Sequence, residues 1–326
     1  MTTGTTLRAC LMAGTVLYWT SLACVSAAPG VRLTQEKDVV RVEVNGELFT
    51  EYVFQGAPHV YYYPLIGPNG LPMTRNWPMK KVEGEEADHP HHRSLWYSHG
   101  AVNGVDFWSE SSRAGRIVHD RFLEVTSGPN VGVIRSANKW VAPDGKVVCT
   151  DERTFRVYAR PPSERVFDFE ITIQAPAGED LVLGDTKEGT MAVRVAESMR
   201  LMQPKRVKGQ GRIVQSTGVK DDQTWGKRAQ WCDYSGPVQG KTVGIAIFDH
   251  PANPVHPTYW HVRDYGLFAA NPFGIHDFEK KPAGTGDLRI PAGKSVTFKY
   301  RFYLHEGNEV EAKVSDRYKE WITSTK

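Results

Sequence analysis

DVVRVEVNGELFTEYVF, residues 38–54, alternates apolar and polar side chains on both sides of Asn45-Gly46. Alternation with a period of two indicates a strand with one buried face. An Asn-Gly pair between two such runs is the strongest short-range signal for a β-hairpin. We therefore expect the folded part of the chain to begin as an antiparallel meander.

Similar period-two runs, rich in β-branched and aromatic residues, recur at 146–160, 165–176, 190–201, 240–251 and 294–307. The 30 glycines and 20 prolines separate them, and strands do not alternate with amphipathic helices as a doubly wound sheet requires. A helix is predicted only for NEVEAKVSDRYKEWITS, residues 308–324. The sequence therefore predicts an all-β fold, a large antiparallel β-sandwich forming one domain over residues 28–326, with one C-terminal helix.

The N-terminal segment has the pattern of a secretory signal peptide. A basic start, MTTGTTLR, precedes the apolar run ACLMAGTVLYWTSLACV, and small residues follow it. We predict cleavage after Ala27 and export to the periplasm or the medium, with no integral membrane association afterwards. The alternatives are a transmembrane anchor, for which the run is short, and a lipoprotein through Cys24, for which Ser21 replaces the expected large apolar residue.

The charge of the chain limits the classes of ligand that we expect, and its cysteine content limits the disulfides that it can form. The 40 basic and 37 acidic residues give a net charge of +3, which is not the pattern of a protein that binds nucleic acid or an anionic membrane. A neutral or weakly charged small ligand is favoured. Removal of the signal peptide leaves Cys149 and Cys232, and both a disulfide and two free thiols remain open.

The stretch DHPHHRSLWYSHGAVNGVDFWSE, residues 88–110, concentrates the chemistry-bearing side chains. It contains four histidines among acidic, basic and aromatic residues. Pro90 cannot donate to a strand ladder, and Asn103-Gly104 marks a turn. We therefore interpret the stretch as a loop or strand edge, not a central strand, held by a rigid sheet as binding sites commonly are.

One interpretation of these histidines is a transition-metal site. His89 and His91 have the i, i+2 spacing that places two imidazoles on one side of an extended chain. The positive charge of Arg93 would repel a metal cation there, so no cofactor is predicted. A transition metal stays open as an alternative. A second interpretation is structural, because histidine and aspartate in such loops often satisfy buried backbone groups.

The third interpretation is acid/base chemistry on a carbohydrate. Imidazoles and carboxylates exchange protons near neutral pH, and aromatic rings stack on sugars. Two further loops contribute candidates: residues 184–195 carry Lys187 and Glu188, and residues 248–274 carry Trp260, His261, Arg263 and Asn271. We expect one cleft lined by all three loops.

Four motifs resemble the bacterial PmoA-like family, catalogued as "methane oxygenase PmoA", a group of often exported, uncharacterised β proteins. They are PLIGPNGLPMTRNWPMK (64–80), residues 88–110, LGDTKEGTMAVRV (183–195) and HPTYWHVRDYGLFAANPFG (256–274). The resemblance covers nearly the whole mature chain and implies a galactose-mutarotase-like sandwich from bacteria rich in polysaccharide-degrading genes. It does not imply methane oxidation, because residues after Ala28 hold no apolar run of membrane-spanning length.

The sequence thus predicts an exported carbohydrate-active protein, an epimerase, lyase or hydrolase working by His/Glu acid-base chemistry. Glu188 beside Lys187 is the predicted base, and His91 or His92, kept neutral by Arg93, is its acid partner. The predicted substrate-binding residues are His89, Arg93, Trp96, His99, Asp106, Lys187, Trp260, His261, Arg263 and Asn271. The alternatives are a non-catalytic carbohydrate-binding module and a metal-dependent enzyme ligated by histidine.

Overall fold

The computed structural model of the protein describes residues 1–4 and 29–324. The predicted cleavage site after Ala27 lies outside the described residues. Those residues form twenty strands and two α-helices, and their bounds in chain order follow. The first ten strands are β1 (Val31–Gln35), β2 (Val39–Val44), β3 (Glu47–Val53), β4 (Tyr61–Tyr62), β5 (Leu95–His99), β6 (Arg116–Thr126), β7 (Val131–Val141), β8 (Val147–Tyr158), β9 (Glu164–Gln174) and β10 (Leu181–Leu183).

The second half of the chain adds ten strands and both helices. The strands are β11 (Gly189–Arg194), β12 (Met202–Gln203), β13 (Val207–Lys208), β14 (Arg212–Gln215), β15 (Trp231–Val238), β16 (Lys241–Asp249), β17 (Tyr259–Val262), β18 (Leu267–Asn271), β19 (Leu288–Ile290) and β20 (Ser295–Glu306). The helices are α1 (Ile275–Glu279) and α2 (Val314–Ser324).

Two eight-stranded antiparallel sheets make up most of the fold. Sheet A has the strand order β1-β2-β3-β4-β5-β11-β18-β17, and sheet B has the order β14-β15-β16-β20-β9-β8-β7-β6. Two small two-stranded sheets, β10-β19 and β12-β13, accompany them. The predicted large antiparallel sandwich is confirmed.

The hairpin of residues 38–54 forms as its sequence predicts. Strands β2 and β3 pair antiparallel from Val39 opposite Val53 to Val44 opposite Glu47. The connecting residues Asn45 and Gly46 have φ of 53° and 82°, the left-handed values that a two-residue type I′ turn needs at both positions. This local pattern therefore forms two neighbouring strands of sheet A, between β1 and β4.

The main core lies between the two sheets. Aromatic rings from sheet A meet rings from sheet B: Phe49 lies 5.7 Å from Phe167, and Tyr62 lies 4.3 Å from Phe155, between ring centroids. These four side chains are at most 1% exposed. Burying large aromatic side chains in this way removes apolar surface from water and holds the sheets face to face.

The C-terminal helix is shorter than predicted, because it begins at Val314 and not at Asn308. The Asn308 side chain accepts hydrogen bonds from the backbone N–H groups of Val310 and Glu311 at 2.9 and 3.1 Å. Lys313 then adopts a φ of 53°, which α-helical geometry does not allow. Helix α2 packs on sheet B, where Tyr318 meets Phe248 at 5.6 Å.

Two local predictions are wrong. Residues 88–94 form a loop as expected, but Leu95–His99 is β5, a buried strand in the middle of sheet A. Because side chains cover both of its faces, the alternation that marks a half-buried strand is absent. Helix α1 was not predicted, and its five residues are too few to show helical periodicity.

Two further observations concern the disulfide alternative and the length of the helices. Cys149 and Cys232 are free and buried, so the structure shows the alternative without a disulfide. None of the helices formed by the described residues has the length and apolar character needed to cross a bilayer.

Candidate functional site

The site lies on the face of sheet A that points away from the main core. One row of side chains crosses four neighbouring strands in the order Trp96, Ala192, Ala269 and His261. Directly opposite residues of antiparallel strands share a face, and the first three belong to a small apolar cluster apart from the main core. We call this surface the outer face of sheet A.

A cavity of about 570 Å³ opens on the outer face of sheet A. This volume is within the range of roughly 300–1,000 Å³ that is usual for small-molecule sites. The lining residues are His89, His91, His92, Gly100, Asp106, Trp108, Ser109, Lys187, Glu188, His261, Arg263 and Tyr265. Eight predicted site residues from the three loops are among them.

We call residues 88–94 the histidine loop. Behind this loop, Asp88 forms ion pairs with two fully buried arginines. Its carboxylate accepts hydrogen bonds from Arg75 Nη1 and from Arg194 Nη2, the second at 3.2 Å. Both arginine side chains are 0% exposed. Burial opposes ionisation of Asp88, but the hydrogen bond from His89 and the charges of both arginines outweigh it and hold the pKa of Asp88 well below its usual range. One carboxylate therefore serves two buried guanidinium groups.

The histidine loop is held by a column of stacked rings. Tyr265 stacks on His89 at 5.2 Å, His89 on His92 at 4.8 Å, and His92 on Trp96 at 5.3 Å, between centroids. The left-handed φ of 41° at His89 turns the chain so that its ring joins this column. Trp96 therefore supports His92 from below and is itself 0% exposed.

His92 is a neutral imidazole with an assignable tautomer. Its Nδ1 lies 3.1 Å from Arg194 Nη1, and a guanidinium can only donate, so Nδ1 accepts and the proton is on Nε2. Burial, followed by the neighbouring His91 and Arg194, lowers the pKa of His92 well below its ordinary value. The Nε2–H group is therefore a fixed donor in the cavity wall.

His91 is half-buried in the same wall, and the described residues make no hydrogen bond to its ring nitrogens. Its ring lies edge-on to His92 at 4.4 Å and to Trp108 at 6.3 Å. Burial, followed by the charge of His89, lowers the pKa of His91 to about 4. At neutral pH this imidazole is uncharged and able to donate and accept.

His261 has the opposite tautomer to His92. Its Nδ1 lies 2.6 Å from the carbonyl oxygen of Lys187, and a carbonyl only accepts, so Nδ1 carries the proton and Nε2 keeps a lone pair. Burial lowers the pKa of His261 to about 3. The cavity therefore holds an imidazole donor on one side and an imidazole acceptor on the other.

The segment before β11 holds Glu188 in place through its backbone. Lys187 donates its backbone N–H to Asp277 at 2.9 Å, and its carbonyl accepts from Asn271 at 2.9 Å. The Lys187 ammonium lies 3.1 Å from Glu188 Oε1. Asn271 is fully buried, so it positions this segment and does not line the cavity. Helix α1 supplies Asp277, which gives that unpredicted helix a role at the site.

Asp106 lines the cavity, but its oxygens already have partners. They accept from the backbone N–H groups of Trp108 and Ser109 at 2.7 and 3.1 Å and from the Ser109 hydroxyl. These are the hydrogen bonds of an Asx turn. The observed contacts of Asp106 thus shape the loop after β5.

Two predicted ligand-binding residues lie elsewhere. Arg93 pairs with both oxygens of Glu110, at 2.8 Å for one contact, and its guanidinium lies 5.5 Å from the Tyr61 ring. His99 is buried against the carbonyl oxygen of Gly184 at 2.8 Å. The predicted effect of Arg93 on the histidines is also wrong, because Arg194 is the arginine in contact with His92.

The predicted sugar-stacking tryptophans are part of the interior. Trp96 and Trp260 are both 0% exposed. Trp260 donates its ring N–H to the carbonyl oxygen of Ala229 at 2.9 Å and packs in the main core. Neither ring offers a face to a ligand in this structure, so the predicted stacking role does not fit the observed positions.

Sequence reasoning missed four residues that shape the cavity: Arg75, Trp108, Arg194 and Tyr265. A signal existed for Arg194, which stands in the fully buried strand GTMAVR, because an arginine is almost never fully buried unless paired. Tyr265 lies in an ordinary turn between two strands and carries no such signal.

In the described part of the chain, no three His, Cys, Asp or Glu side chains are grouped so that they could hold a metal ion. His89 and His91, the predicted ligands, lie 5.7 Å apart between ring centroids. His89 Nδ1 is engaged with Asp88 at 2.6 Å.

No curated protein matches the sequence. Similar solved structures include a putative kojibiose phosphorylase from human microbiome (10% identity, TM-score 0.33, 70% of this chain and 26% of that one). A polysaccharide lyase is similar at 12% identity and a TM-score of 0.32, over 87% of this chain and 34% of that one. A GalM/aldose epimerase homologue from C. elegans is similar at 7% identity and a TM-score of 0.33, over 86% of this chain and 100% of that one. This chain spans about a quarter and a third of the first two, and such low TM-scores carry no argument about its activity.

The sequence also matches a family model over residues 39–319. That model is described as a family of unknown function, DUF6807, and its description contains no methane-oxygenase label. The match extends from β2 into α2 and includes all three loops of the cavity. The chain belongs to the DUF6807 family.

Proposed function

We propose that the protein is a carbohydrate-active enzyme that transfers a proton to or from a sugar or sugar derivative in the cavity on the outer face of sheet A. One observation carries the proposal: the Glu188 carboxylate and three neutral imidazoles line the same 570 Å³ cavity. Groups that donate and accept protons around one ligand are what acid/base catalysis requires.

Glu188 is the proposed general base. Its side chain is 39% exposed, so a ligand can reach it, and its Oε1 lies 3.1 Å from the Lys187 ammonium. The hydrogen bonds that hold the Lys187 backbone fix where the carboxylate stands. General-base catalysis further requires a ligand whose proton-bearing atom comes within about 2.6–3.2 Å of this carboxylate.

The histidines act on the ligand as neutral groups. His91 and His92 were predicted to be the acid partner, but their pKa values are lowered, so neither is an imidazolium in the free protein at neutral pH. His92 Nε2–H instead donates a hydrogen bond that stabilises negative charge developing on a ligand oxygen. His91, whose nitrogens are open, is the proposed proton carrier between ligand and solvent.

The buried tryptophans weigh against a non-catalytic binding module. Such a module needs aromatic faces open to the sugar, whereas Trp96, Trp108 and Trp260 are at most 2% exposed. Of the two aromatic residues that line the cavity, Trp108 is buried and Tyr265 is half-buried, so recognition there depends mainly on polar and charged contacts. Carbohydrate binding without turnover remains the result that would favour the module.

The test is a panel of sugars and sugar derivatives incubated with the mature protein, followed by Glu188→Gln on the first compound converted. General acid or base groups contribute about 10²- to 10⁴-fold in rate, and we expect a loss of that order with ligand affinity largely kept, because the amide keeps the shape. Glu152→Gln is the matched control, since Glu152 is an exposed residue of sheet B. Equal rates for Glu188→Gln and wild type would refute the assignment.

Export is a separate proposal and comes from the N-terminal pattern alone. Intact-mass analysis of protein from the periplasm or medium should give a chain that starts at Ala28. A membrane-bound chain that retains Met1 would contradict it.

A further inference from the structure

Arg263 lies near two aromatic rings at the cavity wall. Its guanidinium carbon lies 5.7 Å from the Trp225 ring centroid and 5.6 Å from the Tyr265 ring centroid. Rings that interact with a guanidinium in this way engage its flat faces. The N–H donors point outward in the guanidinium plane, so they stay available for an acceptor.

No carboxylate in the described residues pairs with Arg263, although it is half-buried and lines the cavity. The five most buried arginines of the described chain each have a carboxylate within 4.0 Å; they are Arg75, Arg153, Arg165, Arg194 and Arg200. Arg93, in the neighbouring loop, pairs with Glu110. Arg263 differs from all of them in leaving its donors for a ligand.

The charges behind the cavity wall add to this excess of positive charge. Arg75 and Arg194 share the single carboxylate of Asp88. Lys187 and Glu188 compensate each other at 3.1 Å. Neutral donors of the Asx turn hold the Asp106 oxygens and do not cancel the charge of this carboxylate. The cations of Arg75, Arg194, Lys187 and Arg263 outnumber the carboxylates of Asp88, Asp106 and Glu188 by one. An anion entering the cavity therefore meets an excess of one positive charge in a partly desolvated setting, where electrostatic attraction is stronger than in water.

We propose that the ligand is an acidic sugar, and that Arg263 binds its anionic oxygens, those of a carboxylate or a sulfate ester. The inference rests on the proposed function and narrows its substrate class. It revises the expectation from overall charge, because a net charge of +3 over the whole chain does not reveal a local excess within one cavity.

The fork of a guanidinium matches the two oxygens of a planar carboxylate through parallel N–H donors. Lysine offers a point charge without that fork. A carboxylate ligand should therefore distinguish Arg263→Lys from wild type more strongly than a sulfate ester does. This difference separates the two sources of the anionic group.

Titration calorimetry on the mature protein tests the proposal with D-glucuronate, D-glucose and glucose 6-sulfate as probes. A hydrogen bond to a charged group contributes about 1.5–3 kcal/mol, which corresponds to about 10- to 150-fold in affinity. We expect at least one of the two anionic probes to bind about tenfold or more tightly than glucose, and Arg263→Gln to reduce that ratio to near one. Arg135→Gln removes the same charge from an exposed position of sheet B and should keep the wild-type ratio.

Thermal unfolding of each variant shows whether it is folded before its affinities are compared. If Arg263→Gln does not fold, the Arg263→Lys comparison carries the same test. Equal binding of glucose and both anionic probes by the wild type would overturn the acidic-sugar inference and leave the proposed function standing. An unchanged ratio in folded Arg263→Gln would overturn it too. Binding of no sugar of either kind would overturn both.

Discussion

One histidine of sheet B and three histidines of the cavity have opposite electrostatic settings. In sheet B, His305 Nε2 lies 2.7 Å from Asp233 Oδ2, and the two side chains are 1% and 0% exposed. Burial opposes charge on His305, but the Asp233 carboxylate outweighs it and raises the pKa of His305. In the cavity of sheet A, His91, His92 and His261 have no carboxylate partner among the described residues, and burial lowers their pKa values.

The difference shows that burial alone does not decide the state of a histidine. His305 has hydrogen-bond partners at both ring nitrogens, Asp233 and the Glu306 carbonyl, so the pair is complete within the protein. His92 and His261 each use one nitrogen to fix their tautomer, and the other nitrogen has no hydrogen-bond partner among the described residues. The sheet B pair is therefore complete within the protein, whereas the cavity set leaves ring nitrogens open, as the proposed acid/base function requires.

The largest expected loss of folding stability comes from removing the negative charge of Asp88, which balances the arginines behind the cavity. Asp88→Asn leaves Arg75 and Arg194 buried without a carboxylate, and losing one partner of a buried ion pair costs about 3–5 kcal/mol. Urea unfolding at pH 7 measures this loss. Asp120→Asn is the control: Asp120 pairs with exposed Arg121 and Lys139, and its loss should cost within about 1 kcal/mol. Similar values for the two variants would mean that the network behind the cavity does not stabilise the fold.

For Asp233→Asn we expect a moderate loss in the free energy of unfolding, and this loss should depend on pH. Because the pKa of His305 is raised in the folded state, the pair stabilises the protein fully below about pH 6.5, the unfolded value, and less as pH rises through the folded pKa. The variant should lose about 1–3 kcal/mol at pH 6 and less at pH 9. A loss that grows with pH would contradict the assigned charge of His305.

The cavity histidines should produce the opposite dependence. Their lowered pKa values mean that the unfolded chain binds more protons between about pH 6.5 and pH 4, so stability falls as the solution is acidified through that window. His91→Gln should reduce this fall, as chemical unfolding at a series of pH values would show. An unchanged pH profile would mean that His91 is not held neutral by its surroundings.

The smallest expected effect on ligand binding belongs to Trp260→Phe. Trp260 packs in the main core and not against the cavity, so the variant should lose roughly 1–3 kcal/mol of stability while ligand affinity stays within about twofold of wild type. Calorimetry and urea unfolding of the same preparation check both values. A large loss of affinity without a loss of stability would restore the stacking role that the sequence predicted.

The strands were predictable where the evidence was local. The hairpin of residues 38–54 carries its alternation and its turn within 17 residues, and β8, β9, β16 and β20 repeat the pattern. Strand β5 was not recognised, because a strand covered on both faces loses that alternation. The start of α2 depends on the conformation of a single residue, Lys313, which residue periodicity does not specify.

The cavity was predictable as a set of loops but not as a set of contacts. The density of histidines around residues 89–92 marked the site, and its meeting with Glu188 and His261 is what the structure shows. The partners of individual charges depend on long-range packing: Arg93 pairs with Glu110, 17 residues away, and Arg194 reaches His92 across 102 residues. Residue type alone could not separate the paired Arg93 from the unpaired Arg263.

The most direct measurement of the central claim is nitrogen-15 NMR of the histidine side chains at pH 7, with and without a sugar that the protein binds. Because burial lowers the pKa values of His91, His92 and His261, we expect all three to be neutral, with the proton on Nε2 of His92 and on Nδ1 of His261. Ligand should shift the cavity resonances and leave that of His305 unchanged. Protonated cavity imidazoles at pH 7, or cavity resonances that do not move while the sugar binds, would contradict the account.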